Sequence, residues 1–177
     1  MTEDYVRYYD LEEYLFNEVR QKFHQDGKLD AFDLFSIIIW KAERSKSKLA
    51  KRLIRQAGNL ETAALQFSIA LFQATTPKDR LVITMDSWGF YLPMASAILA
   101  VLWPDDFTVF DVRVCEELGD FENLNNLTTK SLWPRYLEYC DSVKRAVPQY
   151  CSLREKDKFL WGRSSARQLS KQIIDGF

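Results

Sequence analysis

The sequence predicts an all-α protein, and three observations support this prediction. Glycine and proline are scarce, with six glycines and five prolines in 177 residues, so few points interrupt a helix. Apolar residues recur at helical spacing, behind residues that typically cap a helix. The one alternating segment, FTVFDVRV (107–114), has no partner strand elsewhere in the chain, which favours an extended lead into a helix. We expect seven to nine helices in a single domain that spans residues 1–177.

The first predicted helices begin at capping residues. Asp10 opens DLEEYLFNEV and has Glu13 three residues later, as in a capping box. Asn59 opens NLETAALQFSIALF, and this segment carries a run of apolar residues at helical spacing. The residues expected on the apolar face of this second helix are Leu60, Ala64, Leu65, Ile69 and Phe72.

The later helices are indicated by an apolar run and two further start signals. The run PMASAILAVLW (93–103) is apolar on every side, which predicts a central buried helix. The segment PRYLEYCDSVKRAV is amphipathic, and Pro134 suits the first turn of its helix. Ser152 is followed three residues later by Glu155, a second capping box. Together these segments extend the all-α prediction across the second half of the chain.

Charge is unevenly distributed along the chain. The formal net charge is −1, which argues against a protein that is basic over its whole surface, as many nucleic-acid binders are. The segment 41–55, KAERSKSKLAKRLIR, is nevertheless basic, with Glu43 as its only acidic residue. It is either a solvated helical face or a surface that contacts phosphates. Its cations are Lys41, Arg44, Lys46, Lys48, Lys51, Arg52 and Arg55.

Several chemistries lack their sequence motifs. No nucleophile-elbow serine motif, phosphate-binding Walker loop or dinucleotide fingerprint occurs, and the lone His24 has no neighbouring nucleophile or second histidine. No pair of cysteines has metal-binding spacing, so we expect no metal and no cofactor. The acidic start MTEDYVRYYDLEEY is unlike a signal peptide, and no apolar run reaches the length of a membrane span. We therefore expect a cytoplasmic protein without a membrane partner.

Two neighbouring segments carry the strongest functional pattern. In DSWGFYLPMASAIL (86–99) a glycine precedes the buried helix, where backbone N–H groups can approach an anion. In PDDFTVFDVRV (104–114) a single carboxylate, Asp111, stands between Phe110 and Val112. A charge among apolar residues is costly to bury without a partner. The two segments together would supply an anion-binding turn and an acid.

This unit, residues 86–114, resembles the signature of the helix–hairpin–helix DNA glycosylase superfamily, the endonuclease III-like proteins. In that family a hairpin of pattern L-P-G-V-G-x-K-x-A precedes a helix, and V-D-x-x-V follows with an essential aspartate. Gly89 aligns with the first hairpin glycine, Tyr91 with the second and Pro93 with the lysine, and Asp111 falls on the family aspartate without a gap. The chain is also similar to uncharacterised bacterial glycosylase-like proteins through WKAER (40–44).

The resemblance implies two helical lobes around a groove, a double-stranded DNA partner and a base-excision activity. The aspartate, here Asp111, would stabilise positive charge on the sugar and orient a water nucleophile. The displaced base would enter a pocket that is lined by aromatic side chains. Pocket candidates are Trp40, Trp88, Trp161 and Arg113, and candidate DNA contacts are Gly89, Phe90, Tyr91, Lys41, Arg44, Lys48, Lys51 and Arg52.

Two departures from the family pattern change what is implied. Pro93 has no amine, so it cannot form the Schiff base of lyase-competent members, and a monofunctional glycosylase is expected. Tyr91 replaces a glycine, and a non-glycine residue at positive φ would be strained. The hairpin has therefore either changed shape or lost its DNA contact. Asp111 could also be structural, as a helix-start carboxylate paired with Arg113. The alternative function is a non-catalytic protein that binds nucleic acid or a protein partner.

Overall fold

The computed structural model describes residues 5–176. Residues 1–4, which open the acidic start used to argue against a signal peptide, and residue 177 lie outside the described residues. The part of the chain that the structure describes is helical and contains no strand, which confirms the all-α prediction. Its α-helices are α1 (Leu11–Tyr14), α2 (Arg20–Asp26), α3 (Ala31–Ala42), α4 (Lys46–Ala57), α5 (Leu60–Gln73), α6 (Pro77–Val82), α7 (Leu92–Leu102), α8 (Val112–Leu118), α9 (Thr129–Ala146) and α10 (Leu153–Asp175).

Short turns of other helical types join several of these helices. A π-helical turn, Leu15–Val19, links α1 to α2 without a break, and a second π turn, Ile83–Ser87, continues α6. The 3₁₀ turns are Tyr5–Tyr8, Glu43–Ser45 and Glu122–Asn126. If α1 and α2 are counted as one helix, residues 5–176 hold nine α-helices, the upper end of the expected range.

The predicted caps are present. The side chain of Asp10 accepts a hydrogen bond from the backbone N–H of Glu13. The side chain of Asn59 likewise accepts a hydrogen bond from the backbone N–H of Thr62 at the start of α5. Ser152 and Glu155 form a complete capping box at the start of α10. Each cap satisfies a backbone N–H that the first turn of a helix leaves unpaired.

Two details of the helix predictions are wrong. Helix α9 begins at Thr129, so Pro134 lies inside the helix, where it removes one backbone hydrogen bond, rather than in the first turn; the buried stripe already starts at Leu132. On α5, the large apolar residues Leu65, Ile69 and Phe72 are exposed, and the face centred on Phe67 and Leu71 is buried instead. Both faces of α5 are apolar, so spacing alone did not distinguish them.

Helix α7 forms the centre of the molecule. All of its residues except Pro93 are buried, as expected for a helix that is apolar on every side. It packs against α2, α3 and α6, and the helices that follow it, α8, α9 and α10, pack against one another. The segment 103–111 runs from the end of α7 to the start of α8, and it positions Asp111.

The extended segment that precedes Asp111 is buried without a partner strand. Its backbone groups are satisfied by side chains from three helices, which replace the ladder of a sheet. Ser96 of α7 accepts from the N–H of Phe110 at 2.9 Å. The remaining contacts are the Tyr136 hydroxyl with the carbonyl and N–H of Thr108 at 2.6 and 3.2 Å, the Tyr139 hydroxyl with the carbonyl of Val109 at 3.0 Å, and the Asp157 carboxylate with the N–H of Val109 at 3.4 Å.

Among the described residues, no helix combines the length and apolar character needed to span a membrane.

Candidate functional site

Asp111 caps helix α8 and is joined to a helix far away in the sequence. Its Oδ1 accepts from the backbone N–H of Arg113 at 3.1 Å, and its Oδ2 accepts from Lys41 Nζ at 2.8 Å. The guanidinium of Arg113 turns away and donates to Gln168 Oε1 at 2.7 Å. The side chains of Asp111 and Arg113 therefore do not pair with each other. Asp111, at the start of α8, forms its ion pair with Lys41 of α3.

Asp111 opens into a cavity, which we call the carboxylate cavity. Its volume is about 380 Å³, within the size range of sites for small molecules. Asp111 keeps 22% of its side chain exposed, so it is accessible from this space. The cavity is lined by Glu12, Trp40, Lys41, Val109, Asp111, Val114, Arg154, Asp157, Lys158 and Trp161.

One face of α10 supplies four of these residues. Arg154, Asp157, Lys158 and Trp161 are spaced at i, i+3, i+4 and i+7, so they lie along a single helical stripe. The capping box at Ser152 fixes the start of this helix and hence the direction in which the stripe faces. The local sequence therefore places three charges and an indole together, and packing against α8 brings them to Asp111.

Glu12 of α1 closes the cavity on another side. Its carboxylate accepts from Arg154 Nη2 at 2.6 Å and pairs with Lys158 Nζ at 2.7 Å. Burial opposes ionisation of Glu12, but the hydrogen bonds and charges of Arg154 and Lys158 hold its pKa below its usual range. Glu12 thus remains charged and ties the N-terminal helix to α10.

Asp157 lies deeper and is 2% exposed. It pairs with Arg154 and accepts from Thr108 Oγ1 at 3.0 Å. Burial raises the pKa of Asp157 to about 6, although the charge of Arg154 and the hydrogen bonds from Thr108 and Val109 act in the opposite direction. The residue holds the extended segment against α10, three residues before Asp111.

The indole rings predicted for a base pocket divide into two groups. Trp40 and Trp161 line the carboxylate cavity, and each carries a guanidinium near its ring. Arg154 lies 5.0 Å from the Trp40 ring centre, and Arg113 lies 5.2 Å from that of Trp161. Trp88 is 7% exposed and packs edge-on against Phe67, away from the cavity. The structure therefore brings two of the three candidate tryptophans to Asp111, whereas Arg113 contacts Trp161 but does not line the cavity.

A second cavity, which we call the basic cavity, lies between α4 and the start of α7. Its volume is about 190 Å³, and Lys41, Lys48 and Arg52 are its charged residues. No carboxylate lines it, in contrast to the carboxylate cavity. Lys41 borders both spaces. Its other lining residues are Ala42, Ser45, Leu49, Tyr91, Pro93 and Met94.

The turn before α7 has a relaxed backbone. Gly89 adopts a φ of +66°, which only glycine adopts readily, and Arg52 Nη1 donates to its carbonyl at 2.6 Å. Tyr91 has a φ of −72° as the N-cap of α7 and is 67% exposed. The strain expected of a non-glycine residue at Tyr91 is therefore absent, because the turn has a shape that suits a tyrosine. Phe90 is buried beneath Arg52, so its side chain is part of the core.

The basic segment forms a face of α4 and extends beyond the basic cavity. Lys48, Lys51, Arg52 and Arg55 share a stripe at i, i+3, i+4 and i+7, while Leu49 and Leu53 face the core. Lys48 and Lys51 are exposed and make no ion pair with any residue from 5 to 176. Arg44 is exposed on the 3₁₀ turn that precedes α4 and lines neither cavity.

The sequence analysis did not identify the four other charged residues of the carboxylate cavity, Glu12, Arg154, Asp157 and Lys158. A signal for Asp157 was present, because the buried positions of α10 are Leu153, Asp157, Leu160 and Ser164 at helical spacing. An aspartate on an apolar stripe is rarely buried without a partner, which points to a nearby cation. No comparable local signal marks Glu12, whose partners lie at the opposite end of the chain.

Comparison with known proteins gives no relative: the chain matches no protein-family model, no curated protein and no solved structure. Within residues 5–176, no group of three or more histidine, cysteine, aspartate or glutamate side chains is placed to hold a metal ion.

Proposed function

We propose that this protein is a monofunctional DNA glycosylase of the helix–hairpin–helix type, with helical lobes on either side of the carboxylate cavity. The proposal rests on one observation: Asp111, the residue aligned with the family aspartate, lines a cavity of about 380 Å³ together with Trp40 and Trp161. A carboxylate beside two indole rings suits a flipped nucleotide, whose base stacks on aromatic faces while its sugar approaches a negative charge.

The chemistry assigned to Asp111 is electrostatic. As the bond between the base and C1′ of the sugar breaks, positive charge develops on the sugar, and the carboxylate stabilises it. The bonding electrons leave with the base, water attacks C1′, and the proton that this water loses neutralises the departed base, which leaves an abasic site and the free base. Lys41 positions the carboxylate through the 2.8 Å contact to Oδ2, and the N–H of Arg113 fixes Oδ1.

The basic face supports a DNA partner. Lys48 and Lys51 are free of ion pairs among the described residues, and Lys48 also lines the basic cavity together with Arg52 and Tyr91. A phosphate of the DNA backbone would satisfy this unpaired charge and release counterions. Lys41 borders both cavities, so a DNA strand bound at the basic cavity would lie next to the carboxylate cavity.

The test is base release from lesion-containing duplexes. The purified protein is incubated with duplexes that carry alkylated, oxidised or deaminated bases, and hot alkali then cleaves any abasic sites. We expect alkali-dependent strand breaks for at least one lesion and none without alkali, because Pro93 supplies no amine. Asp111→Asn keeps an oxygen that caps the helix but removes the charge, and we expect a loss of about a hundredfold or more in rate.

The matched control is Asp10→Asn, which changes another capping aspartate that lies outside both cavities. It should retain the wild-type rate. If no duplex is cleaved above the Asp111→Asn background, the enzymatic proposal is wrong. If both variants lose activity equally, the role assigned to Asp111 is wrong.

A second function is favoured by the ion pair itself. Asp111 caps α8 and neutralises Lys41, which is 13% exposed, so a structural role accounts for every contact of the carboxylate. In this case the protein binds nucleic acid through the basic face and releases no base. Salt-dependent DNA affinity without strand breaks would favour this function, and an absence of DNA binding at low salt would favour a protein partner instead.

A further inference from the structure

We infer that the carboxylate cavity accepts an uncharged base bearing carbonyl oxygens, such as a deaminated or oxidised base, and rejects a cationic N-alkylated base. This inference rests on the proposed function and names the substrate class of the same site. It depends on three properties of the cavity: the state of its indole rings, the pairing of its carboxylates and the hydrogen-bonding groups that remain.

The indole rings already carry cations. A positively charged base would gain from stacking on a bare indole, because the ring face attracts cations. Here Arg154, which lines the cavity, lies 5.0 Å from the Trp40 ring centre, and Arg113, which does not line it, lies 5.2 Å from that of Trp161. A cation that enters the cavity near Trp40 would face the Arg154 guanidinium and be repelled. A neutral ring meets no such penalty and stacks on the indole or the planar guanidinium.

The carboxylates of the cavity are paired as well. Glu12 is shared between Arg154 and Lys158 at 2.6 and 2.7 Å. Asp157 pairs with Arg154, and Asp111 pairs with Lys41 at 2.8 Å. Each carboxylate that lines the cavity thus already has a cationic partner among the lining residues. A cationic base therefore gains less from these groups than it would from an unpaired carboxylate.

The cavity retains unused hydrogen-bond donors. Lys41 Nζ and Lys158 Nζ each contact one carboxylate, although an ammonium group has three N–H donors. A ligand oxygen that accepts from either ammonium group gains a charge-assisted hydrogen bond. Carbonyl oxygens of an oxidised or deaminated base are such acceptors.

Binding to DNA tests the inference without requiring turnover. Duplexes of one sequence carry a 2′-fluoro nucleotide whose base is uracil, hypoxanthine, 8-oxoguanine, 7-methylguanine or an undamaged base; the fluorine resists base release, so wild-type protein with Asp111 and Lys41 still paired can be used. Of these bases, 7-methylguanine is cationic in DNA and the others are neutral. We expect at least one neutral lesion to bind about tenfold more tightly than the undamaged duplex, the effect of one added hydrogen bond. We expect no gain for 7-methylguanine.

The donor is identified by Lys158→Met, which should abolish most of the gain for the neutral lesion. Lys158 is half exposed, so the change should not unfold the protein. The matched control is Lys156→Met on the same helix, whose amine contacts the carbonyl of Lys144 outside the cavity.

Tighter binding to 7-methylguanine, or equal affinity for all duplexes, overturns the inference. If a neutral lesion is bound selectively but wild-type protein releases no base, the inference holds and the glycosylase proposal fails. If wild-type protein releases only the cationic base, the glycosylase proposal holds and the inference fails.

Discussion

The two cavities that meet at Lys41 differ in how their charges are balanced. In the carboxylate cavity, Lys41, Arg154 and Lys158 are matched by Glu12, Asp111 and Asp157. In the basic cavity, Lys41, Lys48 and Arg52 have no lining carboxylate. Ion pairs between helices hold these helices together, whereas an unpaired cation is available to bind an anionic ligand. The comparison indicates that the charges of the first space contribute to the stability of the protein, whereas in the second space Lys48, which has no ion pair among the described residues, can change with little effect on folding.

The same contrast appears in the backbone. The segment before Asp111 is buried and is held by side chains of α7, α9 and α10. The turn at Gly89 is partly exposed and is tied to α4 mainly through Arg52, which also covers Phe90. We therefore expect substitutions near the carboxylate cavity to lower the free energy of unfolding far more than substitutions on the basic face.

The largest effect is expected from Arg154→Met. This change leaves Asp157 and Glu12 without their shared guanidinium, and an uncompensated buried charge destabilises a protein by about 3 kcal/mol or more. Denaturant unfolding measures the difference. The control is Arg135→Met, an arginine that also lies over an aromatic ring but pairs at the exposed surface, where a loss below about 1 kcal/mol is expected. Equal losses in the free energy of unfolding would show that the buried ion pairs of Arg154 are no more important for stability than those of Arg135 at the surface.

Ser96→Ala should have the next largest effect. It removes the acceptor for the buried N–H of Phe110, and an unsatisfied buried donor costs about 1–3 kcal/mol. The control is Ser36→Ala: Ser36 is also buried, but it donates to the carbonyl of Phe32 within its own helix, so little should be lost. Thermal unfolding compares them. A loss in Ser36→Ala as large as that in Ser96→Ala would show that the side-chain support of the extended segment is unimportant.

The pH dependence of stability sharpens the comparison further. Because burial raises the pKa of Asp157 to about 6, the folded protein takes up a proton there at a pH where the unfolded chain does not. Lowering the pH from 7 to 5 should therefore stabilise wild-type protein relative to Asp157→Asn. The measurement is urea unfolding of both proteins at several pH values between 5 and 7. A constant difference across this range would contradict the prediction.

The smallest effect on stability is expected on the basic face. Replacing Lys48 and Lys51 together by alanine should change the free energy of unfolding by no more than about 0.5 kcal/mol, because neither side chain is paired in the described chain. DNA affinity should fall, with the slope of affinity against salt reduced by about 1 for each lysine. Fluorescence anisotropy at several salt concentrations measures the slope. Replacing Lys130 and Lys171, which are exposed elsewhere, should leave it unchanged.

Much of the secondary structure was predictable because its causes are local. The caps at Asp10, Asn59 and Ser152 depend on contacts three residues away, and the buried character of α7 follows from its composition. The start of α9 was misplaced because Pro134 is a strong local signal, but burial of Leu132 outweighs it. The exposed face of α5 was misassigned because composition alone does not distinguish two apolar faces.

Part of the candidate site was predictable for the same reason. Asp111 stands out as a charge in an apolar run, and Trp40, Trp161 and Lys41 were selected from their segments. The sequence did not indicate that Lys41 pairs with Asp111 across 70 positions, nor that Trp88 packs in the core. These outcomes depend on how α3, α8 and α10 pack, which no short window of sequence contains.

The sequence by itself determined that the chain is helical, where its helices are capped, and that α4 carries a basic face. Each of these properties follows from interactions within one or two helical turns. Only the tertiary structure decided that Glu12 and Arg154, 142 positions apart, close one cavity around Asp111. It also decided that this cavity is charge-matched while its neighbour is not. Pairing of charges across the chain depends on the relative placement of whole helices, and that placement is set by the packing of the core around α7.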